Sequence, residues 1–349
     1  MCIHLKKHCA LLNMMTPQLL KIQGCILGGM CGDVLGASVE GASHDRIQTL
    51  YPNGLTEFPR FGPRKYGAYT DDSQMTLALM KSLICMKGVC DVADCARSYA
   101  NDFQVHRGYG ETALKIMVDL KGGADPYTIA NKYIKEGSWA NGGAMRISPV
   151  GLLCSLQDLR AAVTNALHCT HTHPHAIDGA FIQAAAVGYL LQCTPEIFNP
   201  VQFLEYLEII ASVTEFKHKL QCIRRHVVSI RGGVHVREWS SHLSRSEWTH
   251  EIILRNTIAE RFQIKAIDAV SCALLAFCCH WREPHNAVIA AVHYGGDTDT
   301  IAAMTGNLAF TLHGIKAIPT KWLDNVENRT EALELCEQFA RIRGEKKTN

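Results

Sequence analysis

Apolar residues recur every three or four positions along most of this chain, and alternation of period two is scarce. The spacing predicts helices over about 74–87, 92–104, 111–120, 126–135, 158–169, 178–192, 200–213, 265–281, 286–293 and 299–313. A compact, nearly all-α domain follows, with loops carrying the polar groups. Upstream, "GCILGGMCGDVLG" sets Gly24, Gly28, Gly32 and Gly36 four residues apart. On a helix they share one face, so a second backbone can come close to it. Each glycine costs up to about 1 kcal/mol in a helix interior, so four of them point to a tightly packed central helix. A dinucleotide-binding loop is disfavoured, because the spacing is not GxGxxG and no β-branched strand precedes it. Between Glu215 and His250 the pattern is least regular, and Lys217, Lys219, Arg224, Arg225, Arg231, Arg237 and Arg245 stand among polar residues. We read 215–250 as an irregular basic insertion, solvated, with a secondary contact for a polyanionic substrate as the alternative. Residues 1–20 read as a flexible leader and 21–345 as a single domain.

Composition narrows the class. The 349 residues are 47% hydrophobic, enough to bury a substantial core. A formal charge of +2 gives no global field for nucleic acid or an anionic membrane, so direct DNA binding is not expected. No segment offers about 20 uninterrupted apolar residues, so no membrane span is expected either. The 15 cysteines sit mostly in apolar stretches such as "ICMKGVC" and "SCALLAFCCHW", without disulfide-framework spacing. They read as core thiols in a reducing compartment, cytoplasmic or nuclear. The positive N-terminal stretch "MCIHLKKHCALLNMM" leaves a mitochondrial location open. Zinc at Cys278, Cys279 and His280 is disfavoured, because adjacent cysteines on a helix point to different sides.

Chemistry concentrates in two acidic stretches. "YTDDS" places Asp71 and Asp72 behind Thr70 at a helix start, and "YGGDTDT" places Asp297 and Asp299 before Thr300 and an apolar helix. Acids in a first helical turn are ordinary by themselves, favoured by the macrodipole and by free backbone N–H groups. Residues two apart on a helix lie about 200° apart, so Asp297 and Asp299 converge only in a turn or at an N-cap, where Gly295 and Gly296 put them. If the four acids meet, their repulsion raises the carboxyl pKa values unless a cation sits between them. An all-oxygen donor set selects Mg²⁺, Mn²⁺ or Ca²⁺ rather than zinc, at a binuclear site. Glu40, after the glycine-faced helix, is either one solvent-exposed acid among many or a carboxylate near the metals that moves protons. Asp33, inside that helix, reads as a supporting acid rather than a ligand.

Two further segments are candidates for substrate contact. "EGSWANGGAMR" is no Walker A loop, yet its glycines expose backbone N–H groups suited to a pyrophosphate, and Trp139 offers a face for a base; a plain loop with a half-buried tryptophan is the alternative. "HRGYGET" is a similar glycine turn around Tyr109. In "CTHTHPHA", His171, His173 and His175 alternate, but Pro174 makes the segment a turn, so a substrate-contacting or structural role is favoured over zinc.

Taken together, "GDVLGASVEG", "YTDDSQM", "NGGAMR", "THTHP" and "GGDTDT" resemble the ADP-ribosylglycohydrolase family in kind and order, over about Gln23 to Ile342. The resemblance implies an all-α fold, a compact orthogonal helical domain with a binuclear metal cleft that binds ADP-ribose. It implies two Mg²⁺ ions, with Mn²⁺ possible, held by Thr70, Asp71, Asp72, Asp297, Asp299 and Thr300, and Glu40 as a mobile catalytic glutamate. It also implies substrate contacts by Gly108, Tyr109, Gly110, Ser138, Trp139, Asn141, Gly142, Gly143 and His171. Trp139 stands where relatives carry another aromatic against adenine. The implied reaction is hydrolysis at C1″ of ADP-ribose linked to serine on proteins, in poly(ADP-ribose) or in O-acetyl-ADP-ribose, by a monomer. "RGYG" with "NGGAMR" resembles the serine and poly(ADP-ribose) branch. "ASVEG", "THTHP" and "DVADC" resemble the branch that frees arginine-linked ADP-ribose. "AERFQIKAIDAV" departs from both. A non-catalytic ADP-ribose binder and a crystallin-like structural protein are the remaining alternatives.

Overall fold

A computed structural model describes residues 16–60, 65–231 and 245–348. Its helices are α1 (Pro17–Gly36), α2 (His44–Leu50), α3 (Asp71–Cys85), α4 (Val92–Asp102), α5 (Glu111–Lys121), α6 (Ala130–Tyr133), α7 (Ser148–Leu153), α8 (Leu156–Leu167) and α9 (Pro174–Gln192). They continue as α10 (Pro200–Ile210), α11 (Thr214–Arg231), α12 (Arg245–Ile258), α13 (Ala266–His280), α14 (Pro284–His293), α15 (Thr298–His313), α16 (Thr320–Leu323) and α17 (Arg329–Thr348). Among the described residues there is no β-strand; isolated bridges pair Ser43 with Gly295 and Ala140 with Lys265. The all-α expectation holds.

The centre of the fold is the antiparallel pair α1 and α15. Gly24, Gly28, Gly32 and Gly36 face Phe310, Gly306, Ala302 and Thr298 in a register of four. A Cβ on Gly32 would lie 2.1 Å from the Ala302 carbonyl oxygen, and one on Gly36 would lie 2.2 Å from that of Thr298. The stripe therefore exists because the two backbones touch. α1 is long and apolar enough to cross a bilayer, but from Ile22 to Gly36 it is buried in the protein core. Its start is capped by Thr16, whose hydroxyl accepts from Leu19 N–H at 3.2 Å. Residues 17–20, read from sequence as leader, thus belong to this helix, and 1–15 lie outside the described residues.

Two other expectations need correction. The 126–135 helix is reduced to Ala130–Tyr133, because few apolar side chains there can be buried and Asp125 instead caps a turn through Tyr127 N–H at 3.1 Å. The described ends of 215–250 are helical rather than irregular. α11 hides a stripe, Phe216, Leu220, Ile223 and Val227, each at most 3% exposed, among its basic residues. Two of those bases pair with acids of neighbouring helices: Lys219 with Asp268 at 3.0 Å, and Arg224 with Glu208 at 2.5 Å. Residues 232–244 of that insertion lie outside the described residues.

Candidate active site

The first acidic turn is locked from below. Thr70 is the N-cap of α3, its hydroxyl accepting from Asp72 N–H at 3.2 Å and donating to Asp72 Oδ2 at 3.1 Å. Asp33 of α1 accepts from Thr70 N–H at 3.0 Å, from Ser73 N–H at 3.0 Å and from Ser73 Oγ at 2.6 Å. The second turn is Gly295–Gly296–Asp297, with Asp297 as the N-cap of α15. Gly296 adopts φ +85°, a conformation a β-carbon disfavours, and the space a β-carbon would need is occupied by the Arg261 carbonyl. Gly41 N–H donates to Gly296 O at 2.8 Å and Gly296 N–H to Ala42 O at 2.9 Å. These bonds tie the segment carrying Glu40 to the turn carrying Asp297.

The acids converge. Glu40, Asp71, Asp72, Asp297, Asp299 and Thr300 all line one cleft of about 480 Å³. Single carboxylate oxygens of Glu40, Asp297 and Asp299 lie within 4.8 Å of one another. Burial, then the charges of Asp33, Asp297 and Glu40, raises the Asp71 carboxyl to about 7. Burial followed by neighbouring acids also pushes Asp72 and Asp299 well above the usual carboxylate range. Asp33 and Asp297 are raised by burial too, with hydrogen bonds working against the rise. Asp72 Oδ1 is buried with no hydrogen-bond partner. Buried carboxylates in mutual repulsion, one with an orphaned oxygen, are what a hard divalent cation relieves, so the residues fit a metal.

The opposite wall is the 138–146 loop. Asn141 Nδ2 donates to Asp297 Oδ2 at 2.5 Å and to Gln263 O at 2.8 Å, while Gln263 Oε1 accepts from Asp297 N–H at 3.0 Å. This loop is stitched to 263–266 through Asn141 N–H to Ile264 O at 2.7 Å and Ala266 N–H to Trp139 O at 3.0 Å. Trp139, Phe262 and Ile264, all exposed, make an apolar stretch of the lining. His171 lies against Gly142, and burial, then the Arg146 charge, lowers its pKa to about 3, so it stays neutral. Arg146 is 1% exposed, lines the cleft, and donates to Gly142 O at 2.5 Å and Thr170 Oγ1 at 2.6 Å.

Of the residues expected at the site, Gly108, Gly110, Ser138, Trp139, Asn141, Gly142 and His171 line the cleft beside the acids. Thr70, Tyr109 and Gly143 do not. Thr70 is wholly buried as a cap, the Tyr109 hydroxyl donates to Gln74 Oε1 at 2.8 Å, and Gly143 packs on Leu167. His173 caps α9, accepting from His175 N–H at 3.1 Å, which is a structural role. Sequence reasoning missed Arg146, Thr170, Gln263, Phe262 and Ile264. Arg146 stood in the quoted "NGGAMR", and the others lay in segments noted for different reasons.

A family model described as ADP-ribosylglycohydrolase matches residues 15–349. The chain belongs to the ADP-ribosylglycohydrolase family. Among similar proteins, ADP-ribosylhydrolase ARH3 of Mus musculus is 27% identical over 350 residues, covering 92% of this chain and 91% of that protein. ADP-ribosylhydrolase ARH3 of Homo sapiens is 28% identical over 362 residues, covering 93% and 94%. A solved structure described as an ADP-ribosylglycohydrolase-related protein complex shares the fold, with a TM-score of 0.70 at 23% identity, covering 94% of this chain and all of that one. As an ADP-ribosylglycohydrolase the protein is a glycosidic-bond hydrolase, and the cleft with its acidic group is the candidate place for that chemistry.

Proposed function

We propose that this ADP-ribosylglycohydrolase is metal-dependent and cleaves the α-O-glycosidic bond at C1″ of ADP-ribose attached to serine, in proteins and in poly(ADP-ribose) or O-acetyl-ADP-ribose. The observation that carries the reading is the convergence of Glu40, Asp71, Asp72, Asp297 and Asp299 on one cleft whose far wall offers neutral and cationic groups. The similarity to proteins named ADP-ribosylhydrolase ARH3 supports the substrate class.

Asp71, Asp72, Asp297, Asp299 and the Thr300 hydroxyl would hold two Mg²⁺ ions, or Mn²⁺, with Thr70 fixing the first acidic turn as its cap. Such ions, when bound, supply the charge that orients ribose hydroxyls and lowers the pKa of a water. Asn141 restrains Asp297 through its amide, so that acid keeps one orientation. Arg146, buried behind Gly142, contributes positive charge to the wall where a diphosphate would lie. Glu40 is the exposed carboxylate at the acidic end of the cleft. In the reaction the C1″–O bond to serine breaks, a water oxygen bonds to C1″, and Glu40 takes one proton from that water and passes it to the departing serine oxygen, which restores the carboxylate. Neighbouring carboxylates stabilise the positive charge that builds on the ribose ring.

The test offers serine-linked, arginine-linked and poly(ADP-ribose) substrates side by side, with Mg²⁺ and with EDTA. Release of ADP-ribose from serine, lost with EDTA, is the expected result. Turnover of the arginine-linked substrate alone would move the protein to the other branch. ADP-ribose binding without turnover of any substrate would make it a non-catalytic binder.

A further inference from the structure

A second cavity, of about 710 Å³, shares no lining residue with the catalytic cleft. Its walls come from helices that take no direct part in the acidic site. α7 contributes Leu153, α8 contributes Leu159 and Ala162, and Tyr189 of α9 stands beside Tyr206 of α10, ring centroids 5.1 Å apart and planes tilted by 36°. The exposed Leu156 and Asp158 mark its opening. Size and composition are those of a small-molecule site, mostly apolar with few polar groups.

The polar group that sets this cavity apart is Arg343 of α17. It lines the space, is only 8% exposed, and among the described residues its guanidinium bonds only to the Leu152 carbonyl. Its Nε–H is buried without an acceptor. No acid counts among the groups that perturb it: burial acts first, and the remaining influence is the Cys154 thiol. Asp158, the acid in the lining, is engaged by the Ser155 hydroxyl at 2.8 Å. A buried guanidinium without a carboxylate partner is costly, and an anion brought into the cavity offsets that cost.

We propose that this cavity is a second binding site, for an amphipathic monoanion: an apolar body of about one aromatic ring or a short alkyl chain, carrying one carboxylate received by Arg343. One cation matches one negative charge, and Asp158 at the opening disfavours a dianion such as a phosphate monoester. A carboxylate also suits the planar guanidinium, which can present two donors to it. The apolar body lies against Leu153, Leu159 and the tyrosine pair.

The experiment is a fluorine NMR titration of the full chain with 4-(trifluoromethyl)benzoate and, in parallel, with its neutral amide. The acid should bind at least about tenfold more tightly than the amide, as expected for a charge-assisted contact. Saturating ADP-ribose should leave the probe bound. R343M should remove the preference for the acid, and R343K should retain part of it. A162F, which fills the cavity from α8 without touching the cation, should exclude both probes, with folding checked by thermal melt. Equal affinity for acid and amide, displacement of the probe by ADP-ribose, or undiminished binding to A162F would each overturn the proposal.

Discussion

Asp33 holds both ends of the Thr70–Ser73 turn with one carboxylate, accepting at Oδ1 and Oδ2 from backbone and hydroxyl donors. An asparagine can accept at only one of its two terminal atoms. Asp33→Asn should therefore weaken Mg²⁺ affinity or turnover by about 10- to 100-fold while the protein still melts cooperatively, since the residue positions ligands rather than serving as one. Asp299→Ala should abolish turnover and with it the stabilisation by Mg²⁺, read as a thermal shift. Glu40→Gln should slow catalysis and leave ADP-ribose affinity, measured by calorimetry, nearly unchanged. The acids were legible in the chain because two acidic helix starts occur together, and in the second Asp297 and Asp299, two residues apart behind Gly295 and Gly296, converge only at a turn. Arg146 and Gln263 were not, because their importance comes from partners far along the sequence, such as Thr170 and Asp297, that only folding brings near.

At the level of elements, the glycine stripe of α1 was readable because a period of four on one face has a single packing consequence. The contact admits no methyl group: Gly32→Ala would set a Cβ 2.1 Å from the Ala302 carbonyl oxygen, where backbone rather than a flexible side chain must yield. We expect a loss of about 2 kcal/mol or more in urea denaturation, with the denaturant slope unchanged. α11 shows the opposite case. Its apolar stripe at 216, 220, 223 and 227 is regular, yet the interleaved lysines and arginines lowered the apparent periodicity and suggested an irregular insertion. Long basic side chains that find acids on α10 and α13 are compatible with a well-packed helix, a pairing that sequence spacing does not reveal.

Across the whole molecule, the clustered acids would couple pH to the proposed metal. The metal-free folded protein keeps protons on Asp71 up to about 7, and Asp72 and Asp299 shift in the same direction, whereas the unfolded chain releases them near 3.8. Between those values the folded state binds more protons, so this part of its stability falls as pH rises. A bound cation needs the protons gone, so the thermal shift produced by Mg²⁺ should grow from about pH 5 to about pH 8; a shift independent of pH would contradict metal binding at these carboxyls. Asp33 secures the first acidic turn, and three residues later Gly36 abuts Thr298, whose hydroxyl donates to Gly36 O at 2.8 Å. The helical rise over three residues, about 4.5 Å, is thus the ruler that separates the two halves of the site. A single residue inserted between positions 33 and 36 would swing one half by about 100° relative to the other and part them, though every acid remained in the sequence.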